Sequence, residues 1–140
     1  MLQGQCLCGG IRYQISGELP VHDGQKIPLP IVCHCKMCQR QTGSAFSVSH
    51  MVKLSQLAIV SGAQLIKRYE SSKGVFRSFC CECGSFLFAN YEELEPDQVL
   101  FTLGTINDCE LKPAVHIFVA DKASWYEIND VLPQFEAYPT

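Results

Sequence analysis

The 140-residue sequence lacks several features that define common specialised classes of protein. It contains no run of about 18 apolar residues, so no segment is predicted to span a membrane. The stretch from Met1 to Cys6 has neither a basic nor a long apolar region, so no signal peptide is expected and a cytoplasmic protein is predicted. The formal net charge of −3 lacks the basic excess typical of nucleic-acid binding, which is therefore not expected.

Glycine and proline are not in excess either. Ten glycines and seven prolines are close to average usage, which excludes a collagen-like or low-complexity chain. Hydrophobic residues make up 47% of the sequence, enough to bury a core. We predict one domain over residues 1–140, since single domains commonly have about 100–150 residues.

Cysteine is the residue type that stands out. There are nine cysteines, an odd number, and their density lies below the roughly 8–10% that marks a small disulfide scaffold. In a reducing compartment, clustered cysteines bind metal or do chemistry more often than they form disulfides. The composition therefore indicates a metalloprotein without disulfides.

Short apolar runs separated by turn residues predict a mainly β fold. A period-two alternation from Ile11 to Ile15 is typical of a half-buried strand. Further strands are expected in runs rich in aromatic and β-branched residues, at 46–52, 75–79, 86–88, 99–103 and 116–119. The helical signal is weak, with one or two turns expected from Lys36 to Thr42. The Val21–Pro30 stretch is expected to be an exposed loop, and the segment around Trp125 to pack a large aromatic side chain.

The spacing of the cysteines indicates metal binding. Thiolates one or two residues apart can face one ion on a tight turn, as tetrahedral zinc requires. Two C-x-C or C-x-x-C pairs make a set of four, namely Cys6, Cys8, Cys80 and Cys83. A second group makes a set of three, one ligand short, namely Cys33, Cys35 and Cys38. Cys81 and Cys109 remain outside both sets.

Other pairings are compatible with the spacing. A single mixed site that combines Cys33 or Cys35 with Cys80 and Cys83 is one alternative, and replacement of Cys80 by Cys81 is another. Buried thiols that act as small hydrophobic groups, or redox chemistry at a C-x-x-C pair, are further interpretations. Spacing alone leaves these alternatives open.

Three cysteine motifs resemble those of the glutathione-dependent formaldehyde-activating family, which includes centromere protein V-like members. They are Cys6–Tyr13, Cys33–Phe46 and Phe79–Ser85, and the segments Lys112–Val119 and Trp125–Pro133 are similar to the C-terminal part of the family. The resemblance implies a mainly β zinc fold, the β-tent, built from short antiparallel strands. It also implies a structural zinc on the four-cysteine set and a second zinc on the three-cysteine set.

The resemblance further implies a function. The expected activity is that of a zinc-dependent carbon–sulfur lyase acting on glutathione–aldehyde adducts, with the substrate thiol at the open three-cysteine zinc. Two zinc ions and glutathione are the implied cofactors and co-substrate, and a small thiol or aldehyde adduct is the expected partner. The alternative is a zinc-stabilised binding module without catalysis. No catalytic side chain is assigned beyond the open zinc site.

Residues near the third cysteine of the open set are candidates for substrate binding. Glutathione has two carboxylates, so Arg40 is expected to bind one, and Thr42 and Ser44 are expected to donate hydrogen bonds. His34 lies between two ligands, so its side chain is expected to point away from the metal. His116 lies in an apolar run and is expected to be a hydrogen-bonded core residue.

Overall fold

The computed structural model describes residues 1–24 and 27–139, and within them the chain is mainly β with one short α-helix, α1 (Lys36–Thr42). In chain order the strands are β1 (Leu2–Gln5), β2 (Arg12–Ile15), β3 (Ile31–Cys33), β4 (Ser47–Lys53), β5 (Leu57–Ser61), β6 (Ile66–Ser72), β7 (Val75–Cys80), β8 (Phe86–Tyr91), β9 (Gln98–Thr102) and β10 (Val115–Ile117). This confirms the predicted fold class. No helix in the described part of the chain is long and apolar enough to cross a membrane.

The chain forms two compact units. The first comprises Met1–Leu19 and Met51–Glu110, and the second comprises Pro20–His50 and Leu111–Thr140. The boundary falls within β4, between His50 and Met51. The single domain expected from chain length stays a prediction.

The first unit contains two antiparallel arrangements of strands. β1, β2 and β5 form a three-stranded sheet with β2 in the middle, and β9, β8, β7 and β6 lie side by side in that order. The alternation predicted for β2 places Tyr13 and Ile15 inside. The Tyr13 ring meets Phe88 edge to face, with centroids 4.9 Å apart. Such a pair stabilises the core beyond its buried area.

The prediction missed four strands, two of which are polar in sequence and two short or only partly buried. β6 carries the sequence IKRYESS and is mostly exposed, and it is held by an antiparallel ladder with β7. β1 is equally polar, while β3 has three residues and β5 is only partly buried. Backbone hydrogen bonds to a partner, rather than apolar alternation, define these strands.

The second unit places α1 next to a small mixed arrangement of strands. β3 pairs antiparallel with β4, as the predicted fold class implies, and β10 adds a parallel pairing with β3. The parallel alignment sets Ile117 opposite Cys33 and His116 opposite Val32. The C-terminal segment continues beside β10, where the Phe135 N–H donates to the His116 carbonyl at 2.9 Å.

Two loop expectations need correction. The Val21–Pro30 stretch is not simply an exposed loop, because Asp23, Ile27 and Leu29 are buried and the Ile27 N–H donates to the Asp23 carboxylate at 2.6 Å. Two residues of this stretch, 25 and 26, lie outside the described residues. Trp125 is 72% exposed, and Tyr126 is the aromatic residue of that segment that packs, with its ring 5.2 Å from that of Phe46. Apolar composition did not distinguish between these neighbours.

Candidate metal centres

Four cysteines meet in the first unit. Cys6 and Cys8 follow β1, Cys80 ends β7, and Cys83 lies in the turn before β8, and their sulfur atoms all lie within 4.8 Å of one another. The Sγ atoms of Cys6 and Cys8 are 3.5 Å apart, and those of Cys8 and Cys80 are 3.8 Å apart. A tetrahedral zinc with sulfur at about 2.3 Å needs edges of about 3.8 Å. The four thiols therefore fit a closed zinc site.

Tight turns shape both halves of this cluster. Gly9 and Gly84 adopt left-handed backbone conformations, with φ of 74° and 78°. The Gly9 N–H donates to the Cys6 carbonyl at 3.0 Å, and the Gly84 N–H donates to the Cys80 carbonyl at 2.8 Å. A left-handed residue is strained unless it is glycine, so these glycines let the chain turn back after the cysteines.

Donors already face the sulfur atoms of the closed cluster. The Ile11 N–H donates to Cys6 Sγ at 3.3 Å. Hydrogen bonds from the Ser85 hydroxyl and backbone lower the pKa of Cys83 to about 5. A thiolate is the form that binds metal, so these donors favour the ligand state.

Three further cysteines meet in the second unit. Cys33 ends β3, Cys35 caps the start of α1, and Cys38 lies in its first turn, with all three sulfur atoms within 4.8 Å of one another. The Cys38 N–H donates to Cys35 Sγ at 3.3 Å. Among the described residues, no fourth cysteine, histidine or carboxylate joins this group. The cluster is therefore one ligand short of a closed tetrahedral site.

The electrostatics of the three-cysteine cluster favour a bound cation. The neighbouring thiols of Cys35 and Cys38, together with burial, raise the pKa of Cys33 far above its ordinary value. Three thiolates this close repel one another unless a cation lies between them. A divalent ion removes that repulsion and deprotonates coordinating thiols, so the donor set fits zinc.

The remaining cysteines stand apart from both clusters. Cys81 is exposed and Cys109 is half-buried. All nine cysteines lie in the described part of the chain and none forms a disulfide, as predicted. Cys80 and Cys83 group with Cys6 and Cys8, so the geometry favours the two-set pairing over a mixed site.

Two buried histidines lie behind the three-cysteine cluster. His34 Nε2 is 2.8 Å from His116 Nδ1, and His116 Nε2 is 2.9 Å from an Asp130 carboxylate oxygen. Burial, followed by the proximity of His116 and Lys122, lowers the pKa of His34 to about 4, so its ring is neutral at pH 7. The hydrogen bond from His116 lowers the pKa of Asp130. The expectation of a hydrogen-bonded core histidine at position 116 is confirmed.

The predicted substrate-binding residues are placed as follows. Arg40 and Ser44 are exposed on α1 and just after it. The Thr42 hydroxyl donates to the Cys38 carbonyl at 2.8 Å and accepts from the Ser44 N–H at 3.1 Å, so it serves the end of the helix. Their roles in binding stay predictions.

Sequence reasoning missed an open cleft of about 540 Å³ in the same unit. Its lining includes Lys122, Trp125, Tyr126 and Gln134. The Lys122 ammonium donates to the Ala123 and Tyr126 carbonyls, which fixes its position. The single tryptophan of the chain, Trp125, was the available signal for this cleft in the sequence.

The clusters define a class of mainly β protein with one four-thiolate site and one three-thiolate site. The chain belongs to the family described as glutathione-dependent formaldehyde-activating enzyme, whose family model matches residues 1–121. The resemblance seen in the cysteine motifs is therefore confirmed.

Two curated relatives carry the same family name. A Colletotrichum graminicola protein is 26% identical over 106 residues, which are 76% of this chain and 47% of that protein. A Halomonas elongata protein is 25% identical over 137 residues, covering 92% of this chain and 82% of that protein. Each is named "Putative glutathione-dependent formaldehyde-activating enzyme". The match therefore spans about half the length of the fungal relative and most of the bacterial one.

A solved structure has a similar fold. The crystal structure of a Rhodobacter sphaeroides protein superposes with a TM-score of 0.61 at 21% identity, covering 77% of this chain and 90% of that one. The agreement supports the mainly β architecture described above.

Proposed function

We propose that the protein is a zinc-dependent carbon–sulfur lyase that acts on adducts of an aldehyde with a thiol, with glutathione as the co-substrate. The observation that carries the proposal is the three-cysteine cluster in the second unit, which lacks a fourth protein ligand among the described residues. A closed site serves structure, whereas a site with an open position can accept a substrate.

The chemistry follows from the donor set. In this proposal Cys33, Cys35 and Cys38 hold zinc, which supplies positive charge that favours the thiolate form of a thiol at the open position. Three cysteine thiolates carry more negative charge than the ion neutralises, so the site favours delivery of a thiolate over activation of water. The family name of the relatives, which pairs glutathione with formaldehyde, supports this choice of substrates.

The reaction balances without a further reactant. In the synthetic direction the thiol gives up its proton, its sulfur bonds to the aldehyde carbon, and the carbonyl oxygen takes up a proton. The product with formaldehyde is an S-hydroxymethyl thioether, and lysis is the reverse. The chain contributes the position and charge of the thiolate.

Metal content gives the first test. We expect two zinc ions per chain in purified protein, and one in Cys35→Ser. Cys81→Ser is the matched control, since Cys81 lies outside both clusters, and it is expected to keep both ions. One zinc per chain in the wild type, unchanged by Cys35→Ser, would overturn the open-site proposal.

Activity gives the second test. Exchange between free formaldehyde and its glutathione adduct is measured by NMR with and without enzyme, because thiols add to formaldehyde unaided. The wild type and Cys81→Ser are expected to accelerate exchange, and Cys35→Ser is expected to match the uncatalysed rate. Equal rates with and without wild-type enzyme would favour a non-catalytic binding module.

A further inference from the structure

The His34 side chain connects the three-cysteine cluster to a chain of hydrogen bonds. His34 lies between Cys33 and Cys35 in sequence, and it is fully buried. Its Nε2 atom is 2.8 Å from His116 Nδ1, and the two rings lie 5.1 Å apart. His116 Nε2 then reaches both oxygens of Asp130, at 2.9 and 3.1 Å. The chain of contacts therefore runs from a buried ring to a carboxylate that is 47% exposed.

The Asp130 carboxylate determines which atom donates in its hydrogen bond with His116. A carboxylate only accepts hydrogen bonds, so His116 Nε2 must carry the proton that faces Asp130. Nδ1 of the same ring faces His34 Nε2 at 2.8 Å, so one proton lies in the hydrogen bond between the two rings. Asp130 thus keeps a proton at His116 Nε2. It is held in place itself, because its Oδ1 accepts from the Leu132 N–H at 3.0 Å.

Other contacts hold the same turn from the remaining sides. The Phe46 and Tyr126 rings lie 5.5 and 6.3 Å from the His34 ring. The Gln39 side-chain amide donates to the His34 carbonyl at 2.7 Å and to the Asp121 carbonyl at 2.8 Å. The His34 N–H donates to the Ile117 carbonyl at 3.0 Å. These contacts hold the backbone of the turn in part, and the hydrogen bond of the His34 ring to His116, which Asp130 orients, adds to them.

We propose that Asp130 and His116 are positioning residues for the three-cysteine site. They fix the His34 ring, and through it the turn that carries Cys33 and Cys35, so that these thiols are arranged for metal before it binds. The inference rests on the proposed function only in requiring that this cluster takes a metal ion. It names a role for two residues that no cysteine motif contains.

The physical reason is the unfavourable free energy of burying a polar ring. An imidazole removed from water is unfavourable unless its nitrogen atoms are hydrogen-bonded, and the buried His116 ring has a partner at each nitrogen, whereas the His34 ring is bonded at Nε2. Without the Asp130 acceptor, the His116 ring is free to turn its other nitrogen outward, which breaks the bond to His34. Mutating a group that is hydrogen-bonded directly to a metal ligand typically costs about 10- to 100-fold in metal affinity, and Asp130 acts through two rings, so the lower end of this range is expected.

The test uses the full chain loaded with cadmium-113 and observed by NMR, which gives one resonance for each occupied cluster. In Asp130→Ala, we expect the three-cysteine resonance to shift or broaden and its metal to be removed by a chelator at about 10-fold lower concentration. The four-cysteine resonance is the internal reference and is expected to stay unchanged. Asp130→Asn keeps an acceptor oxygen and is expected to restore most of the affinity.

Glu127→Ala is the matched control, because it removes another exposed carboxylate of the same segment, and it is expected to behave as wild type. Long-range nitrogen-15 spectra provide a readout that a general loss of stability does not reproduce. They are expected to show His116 protonated at Nε2 in the wild type and a mixture of tautomers in Asp130→Ala.

The outcomes separate this inference from the proposed function. If Asp130→Ala changes neither resonance, or lowers the metal affinity of both clusters equally, the positioning role is overturned and the open-site proposal is unaffected. A single resonance in the wild type, from the four-cysteine cluster, would overturn both. A weakened three-cysteine site in a protein without exchange activity would support the positioning role while the lyase proposal fails.

Discussion

The two cysteine clusters differ in how the chain assembles them. The four-cysteine cluster joins two segments far apart in sequence, the turn after β1 and the turn between β7 and β8. The three-cysteine cluster comes from one short stretch at the end of β3 and the start of α1. The first can form only when the first unit has folded, whereas the second is organised largely by local structure.

This difference separates stability from reactivity. Metal binding to ligands from distant segments contributes directly to folding, because the unfolded chain holds no such site. Three ligands on one short stretch add less to folding and leave a coordination position free. We therefore expect the four-cysteine cluster to determine stability and the three-cysteine cluster to determine substrate binding.

The largest effect is expected from breaking the closed cluster. Cys80 is fully buried, and Cys80→Ser should abolish the cooperative unfolding transition, since a structural zinc site is worth about 10–16 kcal/mol of binding free energy. Cys35→Ser should lower the midpoint of thermal unfolding only modestly. Circular dichroism and metal analysis of both variants give the measurement. Equal destabilisation by the two substitutions would contradict the division of roles.

The next largest effect concerns the loop that carries Cys8. Gly62 has φ of 80°, and a Cβ there would lie 2.0 Å from the Gly10 carbonyl oxygen. Gly62→Ala should therefore destabilise the protein by about 2–4 kcal/mol in urea unfolding, because a close backbone contact and a left-handed conformation are both disturbed.

The matched control for this loop is Gly104→Ala. A Cβ at Gly104 meets no atom within 4 Å, and its φ lies outside the left-handed region. The control should change stability by less than about 1 kcal/mol. Similar losses in the two variants would show that the contact with Gly10 does not hold the Cys8 loop.

A smaller and pH-dependent effect is expected at Tyr13. Its hydroxyl is 2.7 Å from the Thr105 hydroxyl, so Tyr13→Phe should remove about 1 kcal/mol at pH 7. Burial raises the pKa of Tyr13 to about 12. The unfolded chain then loses this proton first, near pH 10, so stability falls as the pH rises between 10 and 12.

The Tyr13→Phe variant has no hydroxyl proton at this position, so its stability should not fall for this reason between pH 10 and 12. By pH 11 the wild type should have lost about 1.4 kcal/mol relative to Tyr13→Phe, which would make it about 0.4 kcal/mol less stable than the variant. Urea unfolding at pH 7, 10 and 11 gives the comparison. A constant difference across this range would mean that Tyr13 ionises as readily in the folded protein as in the unfolded chain.

The smallest effect is expected at Arg40, the positively charged residue predicted to bind a substrate carboxylate. Arg40→Ala should weaken glutathione binding to the cobalt-substituted protein about 3- to 10-fold, since an exposed ion pair contributes roughly 1 kcal/mol. Arg12→Ala removes an equally exposed cation in the first unit and should leave binding unchanged. Lys122→Ala tests the cleft as the alternative location. If Lys122→Ala lowers the affinity for glutathione and Arg40→Ala does not, the substrate binds in the cleft and not at Arg40.

Parts of the fold were readable from the sequence because the relevant forces are local. The alternation around Tyr13 predicted β2, and the short polar stretch from Lys36 to Thr42 predicted α1. β6 was missed because its residues are polar and its strand conformation comes from pairing with β7. The parallel pairing of β10 with β3 depends on where distant segments meet, which no local pattern records.

The sequence by itself determined a cysteine set that suits zinc, because Cys33, Cys35 and Cys38 supply three soft sulfur ligands at close spacing, one fewer than a closed tetrahedral site. Only the tertiary structure decided what surrounds that set. His116 and Asp130 lie far along the chain from His34; His116 reaches the His34 ring because β10 aligns with β3, and Asp130 contacts His116. A hydrogen bond between side chains depends on their positions in space, and distance along the sequence does not fix those positions.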